Sequence, residues 1–251
     1  MKQMQDGSHD DGWGIAYYSK LERWLEITKH GGKQQGEPWE SYIQHLYDAL
    51  DHIKSDLVIA HARKAIKHQD ATSKFAQPFN YANKFCFAHD GTISKAGIIH
   101  EYLRDDIRRR TPILPTAPDY TDSEVFFRLI MQYNEQHQNL NKAIHDAVAF
   151  VKEHCTYTSL NFLLSDGKRL FAYCDASEVD FEGKNGHFNM YWASIAEPKE
   201  MIIISSEIIV KKPSINEKIS FKEEWFKLEP GTLMVVGLDM EPDIFSLEDC
   251  I

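Results

Sequence analysis

Apolar and polar residues alternate along the first part of this chain, shift to helical spacing in its middle, and alternate again in its second half. Residues 9–14 (HDDGWG) run into Ile15, Ala16, Tyr17 and Tyr18, a predicted strand. A second strand over residues 24–28 would fold back on it as a hairpin through the turn near Lys20. Residues 31–36 read as loop. Pro38 then stands at a predicted first helical position, where its missing N–H costs nothing. Trp39, Tyr42, Ile43, Leu46, Tyr47, Leu50 and Ile53 recur at helical spacing and mark a face for the core rather than a cofactor site. Residues 57–60 (LVIA) read as a buried strand ending in His61, Ala62 and Arg63, and a long polar loop over 64–74 closes at Gln77, Pro78 and Phe79.

Residues 84–94 (KFCFAHDGTIS) organise the rest. They begin as a strand with Phe85 and Phe87 on one face and Cys86 and Ala88 on the other. The strand breaks at His89-Asp90-Gly91, because glycine takes positive φ without a steric cost. Such a break is an ordinary turn after a core strand, or a strand end that offers backbone N–H groups to a ligand. Residues 98–109 are expected to be helical, and 111–120, with three prolines, irregular. Thr121 to Glu124 (TDSE) fits a capping box, and Val125, Phe126, Leu129, Ile130 and Tyr133 continue as an amphipathic helix. A further helix spans about residues 140–151. Residues 159–164, 170–174, 190–194, 201–204 and 232–236 read as strands, with a tight hairpin turn at Ser165-Asp166-Gly167 between the first two. Strands, two central helices, then strands predict an α+β fold: two sheets with helices packed outside, in one domain.

Composition narrows the function. With 251 residues, 43% hydrophobic and 26% charged, the chain has enough material for a sizeable core. A formal net charge of −10 argues against nucleic acid or an anionic membrane surface as partner. The basic stretch 104–110 (RDDIRRR) is interrupted by Asp105 and Asp106 and reads as a solvated helix end. No apolar run approaches the roughly 20 residues of a membrane span. The polar N-terminus carries no signal-peptide pattern. The four cysteines, Cys86, Cys155, Cys174 and Cys250, lack CxxC spacing and read as reduced thiols of a cytoplasmic protein. The twelve histidines include no HxxxH or HxH. His61, His68 and His89 are read as separate, satisfied side chains, so neither a metal nor a cofactor is expected.

Polar groups at element ends carry the candidate chemistry. Arg63 presents a planar fork suited to a carboxylate. Asp122, at a helix start, suits a ligand ammonium and is equally suited to capping the helix. Gly91 can offer a backbone N–H to an oxyanion. Together they can hold an α-amino acid by both charged groups.

The ordered set HDDGWG, HAR, FAHDG with Thr92-Ile93, TDSE and LNFLLSDGKRLFAYC, followed by SSEII, Trp225 and EPGTLMVV, resembles the class II glutamine amidotransferases, in particular their stand-alone members. It covers about residues 9–238. The resemblance implies a four-layer αββα sandwich of the N-terminal-nucleophile hydrolases. It implies an amino-terminal cysteine whose thiolate attacks the side-chain amide of glutamine, with the free α-amine as base. Arg63 would bind the substrate carboxylate and Asp122 its α-amine, while position 90 and Gly91 would form the oxyanion hole. Ammonia would be released from glutamine or a γ-glutamyl compound, with a separate acceptor or synthetase subunit as a possible partner.

Three departures stand out. Positions 1 and 2 are Met and Lys, so the nucleophile is missing, and the family's first strand with it; an unpaired sheet edge and self-association are then expected. The family's His-Asn-Gly is His89-Asp90-Gly91, and an ionised aspartate has no proton to donate to an oxyanion; one lost donor costs on the order of 3–4 kcal/mol. The family's Asn-x-His-Pro-Phe is Phe75-Ala76-Gln77-Pro78-Phe79, which removes two polar residues of the pocket. Two readings follow: an amidotransferase whose nucleophile lies outside this chain, or a non-catalytic relative that binds an amino acid or serves as a partner subunit.

Overall fold

The computed structural model describes residues 9–20, 23–64, 72–108, 120–176, 188–196, 200–208 and 224–250. Strand β1 (Gly12–Tyr18) runs antiparallel between β2 (Leu25–Gly31) and β3 (Val58–Ala62). Alternation along β1 splits its side chains between two layers. Trp13 and Ile15 pack under helix α1 (Trp39–Asp51) against Tyr42 and Leu46. Ala16 and Tyr18 turn inward to Ile59, Cys86 and Ala88.

Those last two residues belong to a six-stranded sheet at the centre. Its spatial order is β14 (Pro242–Ser246), β13 (Thr232–Val236), β9 (Leu170–Cys174), β8 (Asn161–Ser165), β5 (Phe85–Asp90) and β4 (Phe79–Tyr81), antiparallel throughout. One face carries Phe87, Phe162, Leu164, Phe171, Tyr173 and Leu233, which pack against helices α4 (Asp122–His137) and α5 (Leu140–His154). Phe87 stacks on Phe127 of α4 with ring centroids 5.0 Å apart. Each such fully buried side chain stabilises the fold by roughly 1.5–3 kcal/mol. The Thr121 hydroxyl starts α4 by accepting the Glu124 N–H (3.1 Å), and Asn139 starts α5 by accepting the Lys142 N–H (3.3 Å).

The opposite face carries two small sheets. One is β2-β1-β3. The other is β10 (Tyr191–Ile195) between β11 (Met201–Ser205) and β12 (Phe226–Lys227). Leu163 of β8 and Leu170 of β9 touch the core beneath both. From α4 and α5 through the central sheet and the small sheets to α1, the layers run α, β, β, α. A two-stranded ribbon of β6 (Ile93–Ser94) and β7 (Thr156–Tyr157), with short helices α2 (Ala96–Tyr102) and α3 (Asp105–Arg108), completes the description.

The sequence expectations hold for β1, β2, α1, β5, α4, α5 and the β8–β9 hairpin. Three need correction. Residues 57–60 are not a buried strand: Val58 and Ala60 are exposed and Ile59 alone is fully buried, because among the described residues β3 is the last strand of its sheet. The helix expected over 98–109 is two short ones, broken at Leu103, whose backbone is extended (ψ 138°). Tyr47 and Leu50, expected in the core, are the exposed end of the α1 stripe. The proline-rich residues 111–119 lie outside the described residues.

Candidate active site

The end of β5 is the centre of the site. His89 points to the helix side, where it is buried against Phe87 and Phe126. Its Nε2 lies 3.0 Å from the Ser159 carbonyl, which can only accept, so Nε2 carries the proton and Nδ1 accepts from the Ser123 hydroxyl at 2.9 Å. Burial pushes its pKa down, so the ring is held neutral.

Asp90 follows the alternation to the other side, with Cys86 and Ala88, and lines a cavity of about 140 Å³. Ala60 and His61 of β3 form one wall, and Ile204 and Ser205 of β11 the other. Asn161 and Leu163 of β8 lie alongside Asp90 on the floor. Among the described residues β3 pairs only with β1, and β11 only with β10 and not with β3. Both strands therefore bring a sheet edge without a described partner to this cavity. Burial raises the Asp90 carboxyl pKa, with His89 and His9 acting against the shift. Burial lowers that of His61 to about 3, and its Nδ1 is buried without a hydrogen-bond partner among the described residues.

Gly91 turns the chain directly after Asp90, at φ +154°. A Cβ here would fall 2.2 Å from the Ser159 carbonyl oxygen, so glycine is the residue that lets the turn pack against Ser159. Asp122 is tied to the same turn: its carboxylate accepts the Ile93 N–H at 2.7 Å. The helix cap is Thr121, so Asp122 is not needed for that task. Arg63 follows His61 by two residues, and its backbone is fixed to β1 through the Gly12 carbonyl at 2.8 Å. The cavity wall takes in Asp90 but stops short of Gly91, Arg63 and Asp122.

Gln77 has a different part from the one its sequence position suggested. It is buried, and its side-chain amide closes on the backbone of His89 at both ends: Oε1 accepts the His89 N–H at 2.7 Å, and Nε2 donates to the His89 carbonyl at 3.0 Å. It supports the strand that carries Asp90. Asn161 and His61 were also missed as site residues; Asn161 was legible in LNFLLSDG as a polar residue beginning an apolar strand.

The thiols are poor nucleophiles as they stand. Cys86 is fully buried, with burial raising its pKa to about 12 and a contact to the Tyr18 hydroxyl at 3.6 Å. Cys174 is raised to about 11 by burial, and burial also raises Cys155 and Cys250. Reactive cysteines carry lowered values. Among the described residues no group of three or more His, Cys, Asp and Glu side chains is placed to hold a metal ion. No helix described is long and apolar enough to cross a membrane.

Residues 1–238 match the family described as class II glutamine amidotransferases. The chain belongs to that family. A putative glutamine amidotransferase of Escherichia coli, YafJ, is 22% identical over 233 residues, covering 90% of this chain and 84% of its own length. An uncharacterized protein of Methanocaldococcus jannaschii is 28% identical over 245 residues; the match covers 90% of this chain and 61% of that protein. Among solved structures, a glutamine aminotransferase class-II domain protein from Silicibacter pomeroyi superposes with a TM-score of 0.63 at 19% identity, covering 94% of this chain and 91% of its own. The glutamine phosphoribosylpyrophosphate amidotransferase of Bacillus subtilis does so at 0.60 and 17%, covering 97% of this chain and 45% of its own. This member of the family thus shares the fold of those structures, an α+β sandwich with layers α, β, β, α.

Proposed function

We propose that this chain is the glutamine-binding, ammonia-releasing domain of a class II amidotransferase, with its active site at the Asp90-Gly91 turn. The observation that carries this reading is the cavity in which Asp90, Asn161 and the edges of β3 and β11 meet. In the net reaction the C–N bond of the side-chain amide breaks, a C–O bond to water forms, and glutamine plus water gives glutamate and ammonium. Arg63 holds the α-carboxylate, Asp122 the α-ammonium, and the Gly91 N–H faces the reacting carbonyl oxygen.

None of the four raised thiols suits the attack. In this reading the nucleophile is delivered on an extended segment seated between the edges of β3 and β11. The whole sequence acts as one domain, in the cytoplasm, with ammonia passed to a separate acceptor subunit. The same thiols, together with Asp90, favour a second reading in which the chain binds an amino acid without turning it over.

Ammonia and glutamate release from L-glutamine, measured beside calorimetric binding of L-glutamine, separates these. Turnover supports the first reading, and saturable binding without turnover the second. A protein that neither binds nor hydrolyses glutamine or γ-glutamyl compounds fits neither.

A further inference from the structure

Asp90 and Asn161 face each other directly across the β5–β8 ladder, on the cavity side of the central sheet. Opposed side chains in an antiparallel pair stand about 5 Å apart at Cβ. Asn161 is 1% exposed, and its amide orientation is fixed. Its Oδ1 accepts the Asp175 N–H at 2.8 Å, and a backbone N–H requires the oxygen there. Its Nδ2 is therefore left over, buried, with no hydrogen-bond partner among the described residues. A buried donor without a partner costs on the order of 1–3 kcal/mol, and Asn161 lines the cavity beside a carboxylate that only accepts.

We infer that Asp90 and Asn161 together read a primary carboxamide by its two ends: Asn161 Nδ2 donates to the ligand's carbonyl oxygen, and Asp90 accepts from its NH2. This rests on the amidotransferase reading of the site. It gives the aspartate at position 90 a positive role. Donor and acceptor side by side match an amide and mismatch a carboxylate, since Asp90 repels the acid product while an amide donates to it. The selected ligands are glutamine and γ-glutamyl amides with a free NH2, and glutamate is rejected.

Titration of the full chain with L-glutamine and L-glutamate, in the parent and three variants, tests the pair. Asn161→Asp keeps the acceptor for the Asp175 N–H, replaces the donor with an acceptor and sets a second carboxylate opposite Asp90, so glutamine binding should weaken tenfold or more. Asp90→Asn should narrow the preference for glutamine over glutamate by a similar factor. The double exchange Asp90→Asn with Asn161→Asp again places one amide opposite one carboxylate, and should recover most of the glutamine affinity lost in Asn161→Asp. Thermal unfolding of each variant checks the fold. Unchanged glutamine binding in Asn161→Asp overturns the inference and leaves the functional reading standing. A loss that the double exchange does not recover assigns Asn161 a structural role and also overturns it. A parent that binds neither ligand removes the functional reading, and the inference with it.

Discussion

Gln77 reaches across to His89 and occupies both backbone hydrogen-bonding groups of that residue with one side-chain amide. β4 pairs with β5 only as far as Phe87, so the Gln77 amide takes the place of two further ladder bonds where the strand enters the site. Gln77→Met should leave the buried His89 N–H without its partner, with the His89 carbonyl keeping only the His61 ring, and destabilise the protein by about 1–3 kcal/mol. Gln77→Glu retains the acceptor but sets a buried carboxylate oxygen against the His89 carbonyl, and should also destabilise, less so at acid pH where the carboxyl protonates and can donate. Urea unfolding midpoints measure both. Equal stability of Gln77→Met and parent would mean that other groups satisfy His89.

The thiols give a second prediction. With pKa values raised to about 12 for Cys86 and about 11 for Cys174, neither should react with a disulfide reagent in the native protein at neutral pH. Both should react after unfolding in denaturant. Cys86→Ala should leave any glutaminase activity intact, whereas rapid native labelling of Cys86, or loss of activity in that variant, would make it a candidate nucleophile.

Two neutral histidines set the acid limb of stability. Burial lowers the folded-state pKa of His89 and lowers that of His61 to about 3. Nearby Asp122 and Asp90 oppose the shift at His89 without overcoming burial. In the unfolded chain both rings protonate as pH falls through about 6.5. Below that pH the unfolded state binds protons that the fold does not. Stability should therefore fall by about 1.4 kcal/mol per pH unit for each histidine, ending near pH 3 for His61. Asp90 acts in the opposite sense, because its raised pKa lets the fold hold a proton that the unfolded chain has released. Urea unfolding across pH 4 to 8 should show a shallower acid slope in His61→Gln than in the parent, and an unchanged slope would mean that His61 protonates freely in the fold.

Much of this architecture was legible in the sequence. Phe85 and Phe87 against Cys86 and Ala88 correctly announced a strand, which the structure buries on both faces, and TDSE correctly announced a helix start. The position of β3 at the edge of its sheet among the described residues was not legible, because Leu57 to Ala60 is apolar enough for a central strand and only the pairing pattern decides. β14 was missed because it opens on Pro242 and leaves Asp243 and Ile244 exposed, the composition of an outer strand. Within the site, Asp90 and Gly91 could be read from a local motif. Asn161 and Gln77 could not be assigned roles, since those depend on which strand lies opposite and which backbone groups remain unpaired.

The two residues assigned to the substrate's charged ends make a paired prediction. Arg63→Lys keeps the charge but loses the bidentate fork, and should weaken glutamine binding roughly 10- to 100-fold. Asp122→Asn keeps an oxygen for the Ile93 N–H and removes the charge that the proposed site sets against the ligand ammonium, so affinity should fall while stability changes little. Calorimetry with L-glutamine, and with a glutamine analogue lacking the α-amine, tests the assignment. Asp122→Asn should weaken glutamine but not the analogue, and equal losses for both would separate Asp122 from the α-amine.

The most direct measurement is titration of isotopically labelled protein with L-glutamine, followed by nuclear magnetic resonance at the Gly91 backbone amide and the Arg63 guanidinium. Saturable shifts at both, with one dissociation constant, are expected if the Asp90-Gly91 turn is the glutamine site. Absence of shifts at these groups under saturating glutamine, or shifts confined to another part of the molecule, would contradict it.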